Sequence, residues 1–534
     1  MLDVLIYNGN IRALDEKDSI YEAVGVKDGK IVFLGKNTKG EKLEAKEKID
    51  AEGKLILPGF VDSHLHALDY AEMKGFVKLQ NIYSVKEIIE KAKEHYRKKG
   101  LYQGWLIGCG WNQNEFTDGN DFIYKKDLDM ISTEYPILFT RVCVHVAVAN
   151  SKAMELILQS DEAKEIKEYI DEENGILRES AITLYRKILE KPDINYIKEM
   201  ILSAHEDFLK EGITQVHTAD FFSAVPEEDW AKVIRAYEEL DKEKKLAVRT
   251  YEQCMFFIYE NFEKFVEAGY TTGQGSEFFK IGPLKMISDG SLGARTAYMK
   301  KPYSDDASTR GIQILDETQI RRSFKRAKEN NMQIAIHCIG DGSADIAADL
   351  LNEVNSKDLS NPMRDGIVHA QITDKEIFDK MEKGNITAYI QPVFIDTDMD
   401  IAEARLGKER VSTSYAWKTM LDRGLLVTGG SDAPVVSFNI LENIYFAVTR
   451  KNIKGNPPEG WLPYEKLSVD EAVKLFTVNA AYQSFEEKVK GTLELGKYAD
   501  MVILERDIYS IPEDEIKDVK VDLTMVDGKI MYKR

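Results

Sequence analysis

The sequence contains few cysteines and few histidines, which narrows the kinds of metal site that it can form. Its 534 residues include four cysteines, Cys109, Cys143, Cys254 and Cys338, and no two of them form a Cys-x-x-Cys pair. Such wide spacing disfavours a thiolate zinc site and is typical of free thiols in a reducing cytosol. A bound metal ion would therefore require histidine and carboxylate ligands.

Positive charge is scarce relative to negative charge, and no long apolar segment is present. The chain has 72 Lys and Arg against 91 Asp and Glu, a net charge of −19, which disfavours binding to nucleic-acid phosphates. The most apolar stretch, residues 137–149, is interrupted by Arg141 and His145 and is shorter than the roughly 18–20 residues that cross a bilayer. Because the N-terminus also lacks the basic segment of a signal peptide, the sequence predicts a cytoplasmic protein with no membrane partner.

Both ends of the chain are rich in short apolar segments bounded by turn residues. The predicted strands are residues 4–7, 23–26 and 31–34 near the start and 501–504, 522–526 and 530–532 near the end. Asp28-Gly29 is a strong hairpin signal between two of them. Because chain ends often lie close together, residues 1–55 and 487–534 are predicted to form one small β-sandwich.

The middle of the chain alternates predicted strands with amphipathic helical segments. The predicted strands are residues 55–62, 213–218, 246–254, 284–288, 333–337, 366–369, 386–391 and 425–429. Eight βα units indicate an α/β fold with a (β/α)8 TIM barrel, formed by residues 56–70 and 196–486; an open doubly wound sheet is the alternative. The long gap after the first strand predicts an inserted subdomain, residues 71–195, that covers the barrel mouth.

Of the eight histidines, four candidate metal ligands lie at the ends of predicted barrel strands, where barrel enzymes place their active sites. His64 and His66 end the first strand, and residues two apart in an extended chain can face the same ion. His337 ends the fifth strand, His369 ends the sixth, and Asp432 follows the eighth. Each residue alone could be a packed core residue or a helix cap, but together they predict a metal site.

Four segments are similar to motifs of the amidohydrolase superfamily, and more closely to its amidohydrolase-3, or YtcJ-like, branch of metal-dependent hydrolases. The segments are residues 57–66 (LPGFVDSHLH), 288–297 (SDGSLGARTA), 430–434 (GSDAP) and 496–502 (GKYADMV). The resemblance runs over nearly the whole chain. It implies a (β/α)8 barrel with a β-sandwich from both termini, in agreement with the pattern of predicted strands.

The resemblance also implies two divalent metal ions, with zinc the first expectation. It makes His64 and His66 ligands of the more buried ion. His337 and His369 resemble the ligands of the second ion. Asp432 resembles a residue that both binds metal and shuttles a proton.

A two-metal site needs a bridging anion, and Lys285 in the fourth strand occupies that place in the resemblance. In many relatives such a lysine reacts with CO2 to form a carbamate that bridges both ions. Carbamate formation requires a neutral amine, and burial lowers the pKa of a lysine in the required direction. Lys280 is a second candidate earlier in the strand, and an ion pair between Lys285 and Asp289 is the structural alternative.

Further residues are predicted to contact the substrate: Trp111, His145, His217, Asp289 and Arg295. Trp111 and His145 lie in segments of the insertion that resemble the same branch. His217 ends the second strand, where simple packing is the alternative. Arg295 follows a glycine-rich turn and could hold a substrate carboxylate or form an internal salt bridge. His205, on a polar helical stretch, is predicted at the surface.

Metal ligands of this kind acidify bound water and polarise a carbonyl group. The expected activity is hydrolysis of carbon–nitrogen bonds other than peptide bonds in a small molecule, such as an N-acyl or N-formyl amine. In this interpretation a metal-bridging hydroxide attacks the carbonyl carbon, and Asp432 passes its proton to the leaving nitrogen.

Two other functions remain open at this point. Deaminases of the same fold use one metal ion and a Glu shortly after the fifth-strand histidine, whereas His337 is followed by CIGDG. A non-catalytic binding or regulatory protein on a retired barrel would have lost a ligand, and none is missing. A homo-oligomer is compatible with the sequence.

Overall fold

A computed structural model of the protein describes residues 1–40, 42–142 and 145–534. The thiol of Cys143 lies outside the described residues, and Cys109, Cys254 and Cys338 carry free thiols. The chain divides into two compact units. The first unit combines Met1–Tyr70 with Ile194–Arg534, and the second is Ala71–Asp193.

In the first unit, the two chain ends form a β-sandwich, as predicted. One sheet has the strand order Lys30–Gly35, Ala23–Lys27, Leu2–Tyr7 and Ala45–Asp50. The other has the order Lys529–Lys533, Val521–Val526, Met501–Leu504, Leu55–Pro58, Asn10–Arg12 and Ile20–Tyr21. Both sheets contribute to a single buried apolar cluster, in which Ile6 and Val24 from the first sheet join Ile56, Ile503 and Met525 from the second.

Eight parallel strands form the central sheet in chain order, which confirms the TIM-type barrel. Barrel strands 1 to 8 are Phe60–Leu65, Ile213–Thr218, Arg249–Met255, Phe279–Ile287, Ile334–Cys338, Gly366–His369, Thr387–Ile390 and Val427–Gly429. Strand 1 also meets the end of strand 8, because the Ser63 hydroxyl donates to the Gly429 carbonyl at 2.8 Å. The backbone N–H of Asp432 donates to the His64 carbonyl at 2.8 Å. All carboxyl ends therefore face one side of the barrel, where the predicted ligands lie.

The predicted strand at residues 55–62 is in fact two strands with different partners. Leu55–Pro58 pairs antiparallel with Met501–Leu504 in the sandwich, whereas Phe60–Leu65 pairs with barrel strand 2. Gly59 separates them, and a Cβ at this position would lie 2.2 Å from the Thr214 side chain. Only glycine permits that close approach. The prediction was wrong because it joined the apolar residues on either side of Pro58-Gly59 into one strand.

Helices connect the barrel strands, and several begin at side-chain caps. The helices of the first unit are Asn37–Gly40, Ile194–Lys210, Trp230–Lys242, Tyr259–Glu267, Glu317–Glu329, Asp341–Val354, Lys375–Lys383, Ile395–Val411, Trp417–Asp422, Ile440–Thr449, Val469–Leu475 and Val478–Gln483. Asp316 and Ser468 form capping boxes that satisfy backbone N–H groups of the first helical turn. None of the described helices is long and apolar enough to cross a membrane.

The prediction of a surface position for His205 is wrong. His205 is 1% exposed and lies on the buried face of the helix Ile194–Lys210. It shares that face with Ile201, four residues earlier, and Phe208, three residues later. Burial lowers the pKa of His205 to about 3. The charged residues around it in the sequence belong to the opposite, solvent-exposed face.

The second unit, Ala71–Asp193, has its own sheet and its own core. Its strand order is Ile170–Asp171, Ile176–Arg178, Val146–Ala149, Ile137–Arg141, Leu106–Trp111 and Val77–Lys78. Its helices are Val85–Lys99, Lys125–Asp129, Ser151–Leu158, Asp161–Glu165 and Leu184–Ile188, and the helix Ala67–Lys74 begins before the unit boundary. Ile88, Trp111, Phe139 and Val148 belong to its buried apolar cluster. Helix and sheet therefore enclose one core within this unit.

Candidate metal centre

Three predicted ligands meet where barrel strands 1 and 8 end. The Nε2 atom of His64 lies 3.2 Å from the Asp432 Oδ1 atom, and the Nε2 atom of His66 lies 3.4 Å from it. One ligand atom from each of these buried residues lies within 4.8 Å of the others. Two imidazole nitrogens and a carboxylate oxygen that converge in this way are a suitable donor set for zinc or a similar divalent ion.

The histidines of strands 5 and 6 adjoin this cluster. The ring centroid of His369 lies 5.7 Å from that of His64, and the His337 centroid lies 4.4 Å from that of His369. The Nε2 atom of His337 is 3.2 Å from the Gly290 carbonyl oxygen and 3.3 Å from Asp289 Oδ1. Nδ1 is therefore the His337 nitrogen left for an ion. The structure thus brings the five predicted histidine and aspartate ligands into one contiguous group.

Two glutamines from strands without predicted ligands orient two of these histidines. The Nδ1 atom of His64 is 2.7 Å from the Oε1 atom of Gln253 in strand 3. The Nδ1 atom of His369 is 2.7 Å from the Oε1 atom of Gln391, just after strand 7. An Nδ1–H group that donates to the amide oxygen leaves Nε2 unprotonated, which is the form that binds metal. Sequence reasoning missed both glutamines, although each is a polar residue in or beside an apolar strand.

Strand 2 orients the remaining histidine of strand 1. The Nδ1 atom of His66 is 2.9 Å from the carbonyl oxygen of Ala219, the residue that follows strand 2. The backbone N–H of Ala219 in turn donates to the Leu65 carbonyl at 2.9 Å. Strands 1, 5, 6 and 8 thus supply the histidines and Asp432, while strands 2, 3 and 7 supply acceptors that hold three of the rings.

Asp62 connects the two strands that carry the convergent ligands. Its fully buried carboxylate accepts the backbone N–H of His64 at 3.1 Å and that of Ser431 at 3.0 Å. Burial raises the pKa of Asp62 to about 7. The residue belongs to the motif at residues 57–66 but was not among the predicted site residues. Its two hydrogen bonds fix the backbone next to both His64 and Asp432.

Lys285 is buried beside the candidate ligands. Its side chain is 1% exposed, and burial lowers its pKa to about 8. Within the described part of the chain, no carboxylate lies within 4 Å of its Nζ atom. Asp289, the alternative partner, instead accepts three backbone N–H groups. Lys280 forms a 2.6 Å ion pair with Glu486 near the start of strand 4. Lys285 is therefore the lysine that remains available.

The ionisation states of the cluster also suit a metal site. Burial, together with the nearby charge of Lys285, lowers the pKa of His64 to about 4. Burial alone would raise the pKa of Asp432, but its contacts with His64 and His66 hold it well below its ordinary value, and despite burial the contact with Asp432 raises the pKa of His66. A neutral imidazole and an ionised carboxylate are the states that coordinate a cation. The residues present therefore fit a divalent metal ion.

The predicted substrate contacts of the first unit have different surroundings. His217 is fully buried against Tyr251, with ring centroids 5.1 Å apart, and neither of its ring nitrogens has a hydrogen-bond partner among the described residues. Arg295 pairs with Asp305, with its Nη2 atom 2.9 Å from a carboxylate oxygen. Arg295 thus forms the internal salt bridge that was the alternative to a substrate contact. The Asp289 carboxylate binds backbone groups of neighbouring loops.

The two predicted contacts of the second unit also differ from each other. Trp111 is fully buried in the core of that unit, and its Nε1–H donates to the Phe139 carbonyl at 3.0 Å. His145 is exposed, with its Nδ1 atom 2.9 Å from the Glu179 carboxylate. Trp111 therefore has a packing role in its own unit. A role of either residue toward the substrate stays a prediction.

Comparisons with known proteins agree with this architecture. The family model described as the amidohydrolase family matches residues 47–532. The protein YtcJ of Bacillus subtilis (strain 168) is 32% identical over 541 residues, which cover 99% of each chain. An N-substituted formamide deformylase of Arthrobacter pascens is 24% identical over 100% of this chain and 99% of that protein.

Among solved structures, a metal-dependent hydrolase of Pyrococcus furiosus superimposes with a TM-score of 0.80 at 27% identity. The alignment covers 95% of this chain and all of the other chain. The likeness therefore extends through the sandwich, the barrel and the inserted unit. Because the family match spans nearly the whole chain and includes the strand ends where the histidines converge, this protein belongs to the amidohydrolase family.

Proposed function

We propose that this protein is a metal-dependent hydrolase of carbon–nitrogen bonds other than peptide bonds. The observation that carries the proposal is the convergence of His64, His66 and Asp432 at the carboxyl ends of the barrel strands. Two relatives support it by their names. The similar protein of Pyrococcus furiosus is named a metal-dependent hydrolase, and that of Arthrobacter pascens is named a deformylase of N-substituted formamides.

Two divalent ions, with zinc the first expectation, would be held by the cluster. His64, His66 and Asp432 would hold one ion, and His337 and His369 would hold the second. A carbamate on Lys285 would bind both, and the lowered pKa of this lysine favours the neutral amine that reacts with CO2. Bound ions of this kind polarise a carbonyl group and make water more acidic.

Asp432 would transfer the proton in the reaction. Its carboxylate is ionised at neutral pH, because His64 and His66 hold its pKa well below the ordinary value despite burial. An ionised carboxylate accepts the proton that the attacking water loses, and it can return that proton to the nitrogen that leaves. Gln253 and Gln391 would hold the rings of two histidines in the orientation that the chemistry requires.

The test combines metal analysis with a screen for released amine. Protein stripped by chelation and protein reloaded with zinc are incubated with N-substituted formamides, N-acyl amines, N-acyl amino acids, carbamates and lactams. We expect amine release only from the reloaded protein and none from His64→Asn. His95→Gln is a matched control, because His95 is half-buried and lies near the Gly75 carbonyl in the second unit. No release from fully loaded protein with any of these classes would contradict the proposal.

A further inference from the structure

Barrel strands 2 and 3 are each followed closely by a Phe-Phe pair. The first pair is Phe221-Phe222 and the second is Phe256-Phe257. In each pair the first side chain is buried, at 0% and 4% exposed, while the second is 39% and 42% exposed. Two large apolar rings are therefore partly open to solvent at the carboxyl ends of neighbouring strands. This is also the end of the barrel that carries the candidate metal centre.

The two exposed rings contact each other, and one of them contacts a predicted metal ligand. The Phe222 ring centroid lies 5.4 Å from that of His66. The Phe257 ring stacks on Phe222 with centroids 5.8 Å apart and an interplanar angle of 27°. Ile258, 53% exposed, follows, and with Phe257 it lines one wall of a cavity of about 260 Å³ whose lining also includes the charged residues Glu260 and Arg322. An apolar surface therefore begins at His66 and leads away from the metal centre.

Buried carboxylates hold the two loops that present these rings. Glu227, 7% exposed, accepts the backbone N–H groups of Phe257 and Ile258, the second at 3.0 Å. Asp69, 8% exposed, accepts the backbone N–H of Ala224 at 2.6 Å in the loop of the first pair. Hydrogen bonds from backbone groups to buried carboxylates are strong, so the loops are fixed. A fixed apolar surface beside a few convergent polar groups is characteristic of ligand sites.

We propose that Phe222 and Phe257 bind an uncharged aromatic or branched alkyl substituent of the substrate, next to the carbon–nitrogen bond that is cleaved. Transfer of such a group from water onto the two rings is favourable, and aromatic rings pack well at these centroid distances. An anionic substituent would lose its hydration against the two rings, whose faces carry negative partial charge. Arg295, the cation predicted to hold a substrate carboxylate, is already paired with Asp305. The inference rests on the proposed function and specifies the substrate class of the same site.

The first test compares two N-substituted formamides on zinc-loaded protein. The substrates are N-(2-phenylethyl)formamide and N-methylformamide, and the measured quantity is the ratio of their kcat/KM values. We expect the wild type to prefer the phenylethyl substrate and Phe222→Ala and Phe257→Ala each to lower that ratio at least about tenfold. Phe222→Leu, which keeps an apolar side chain, should retain most of the preference. An unchanged ratio in both alanine variants would overturn the inference.

Phe485→Ala provides a matched control for these variants. Phe485 is also partly exposed, at 36%, and its ring packs against Arg364 near Glu486, far along the chain from both Phe-Phe pairs. We expect this variant to keep the wild-type ratio. Thermal unfolding of every variant, followed by circular dichroism, establishes that a lost preference does not reflect lost folding. A fall of the ratio in Phe485→Ala as large as that in Phe222→Ala would also overturn the inference.

The second test measures binding and does not depend on turnover. Acetohydroxamate and phenylacetohydroxamate share a metal-chelating group, and calorimetry on zinc-loaded protein gives their dissociation constants. We expect the phenyl compound to bind at least about tenfold more tightly to the wild type and to lose that advantage in Phe222→Ala. Equal affinities in the wild type, or binding of neither compound, would overturn the inference. If the phenyl preference holds but no formamide is hydrolysed, the proposed reaction fails while this subsite stands.

Discussion

The two ends of the barrel each bury a lysine with a lowered pKa, yet the two lysines have different surroundings. Burial lowers the pKa of both Lys285 and Lys490 to about 8. The Nζ atom of Lys490 lies 3.1 Å from the Glu486 carboxylate, whereas no carboxylate of the described residues lies within 4 Å of the Lys285 Nζ atom. A low lysine pKa therefore does not by itself indicate a site for chemistry.

The neighbours of each lysine make the difference. Glu486 also binds Lys280 and Gln215, both at 2.6 Å, near the starts of strands 4 and 2. This group at the amino end of the barrel is an internal ion-pair network. Lys285 instead lies in the field of Asp432, whose carboxylate is held by two histidines. Within the described residues, the carboxyl end thus places an amine without an ion-pair partner beside the candidate metal ligands, whereas the amino end pairs its lysines with the Glu486 carboxylate.

The largest effect should come from substitution of Asp432, the proposed proton acceptor at the carboxyl end. In Asp432→Asn, the amide oxygen can still coordinate a cation weakly, but it cannot accept a proton at neutral pH. We expect kcat to fall by about 10²–10⁴, or roughly 3–5 kcal/mol of activation free energy. The measurement is made with metal content equal to that of the wild type by elemental analysis. Near-normal turnover by the fully loaded variant would exclude Asp432 from proton transfer.

Substitution of each lysine by methionine tests the comparison directly, since methionine has a similar shape without charge. Lys490→Met should lower the free energy of unfolding by up to about 3 kcal/mol, because it removes a partner from the buried Glu486. Lys285→Met should change that free energy by less than about 1 kcal/mol, because no ion pair is broken.

Metal content should fall in Lys285→Met and not in Lys490→Met, the opposite of the order expected for the loss of unfolding free energy. We expect Lys285→Met to bind fewer ions than the wild type and to be inactive, and Lys490→Met to keep its metal. Denaturant titration and elemental analysis measure the two properties. Equal loss of stability in both variants, with metal retained in both, would remove the distinction between the two ends.

Substitution of Gln253 or Gln391 should have a smaller effect, namely weaker metal binding. Each substitution affects a different histidine of the candidate metal centre. Gln253→Leu removes the acceptor of His64, and Gln391→Leu removes that of His369. Loss of such a hydrogen bond typically weakens metal binding by about 10–100-fold. Competition with a chromophoric chelator should show a different ion weakened in each variant. Gln253→Glu restores an acceptor, so it should recover much of the affinity; no difference between Leu and Glu would indicate a packing role alone.

The sequence predicted the barrel strands and the candidate ligands but not the glutamines that contact them. The eight strands and the order of the sheet were predictable, because each apolar strand repeats at intervals filled by helical patterns. The ligands could be proposed because each ends a strand, and parallel strands bring their carboxyl ends together. Gln253 could not be linked to His64, since the contact joins positions 189 residues apart and Gln253 lies outside the recognised motifs.

Local sequence also failed to reveal three other features, each of which depends on contacts between residues in the folded chain. His205 has charged neighbours in the sequence, yet its helical spacing from Ile201 and Phe208 places it in the core. The change from one sheet to the other at Gly59 was also missed, because the close approach of Gly59 to Thr214 joins distant parts of the sequence. Glu486 belongs with these cases. Its partners in strands 2 and 4 lie more than 200 residues away, at separations of 271 and 206.

The smallest predicted effect concerns the pH dependence of stability at the amino end. Burial alone would raise the pKa of Glu486, but Lys490 and Lys280 hold it well below its ordinary value of 4.5. The unfolded chain therefore binds a proton near pH 4.5 where the folded chain does not. The stabilisation by Glu486 is full above that pH and is lost as the pH falls.

Glu486→Gln removes this titration, so the difference in unfolding free energy between wild type and variant should depend on pH. We expect that difference to shrink by about 1 kcal/mol between about pH 5.5 and 3.5. Urea titrations at several pH values measure it. Glu487→Gln is the matched control, because its ion pair with Arg364 is 31% exposed on the glutamate side and solvent weakens such pairs. A constant difference for Glu486→Gln across this range would mean that the amino-end network does not hold the carboxylate in its charged form. The contrast with Lys285 would then rest on metal binding alone.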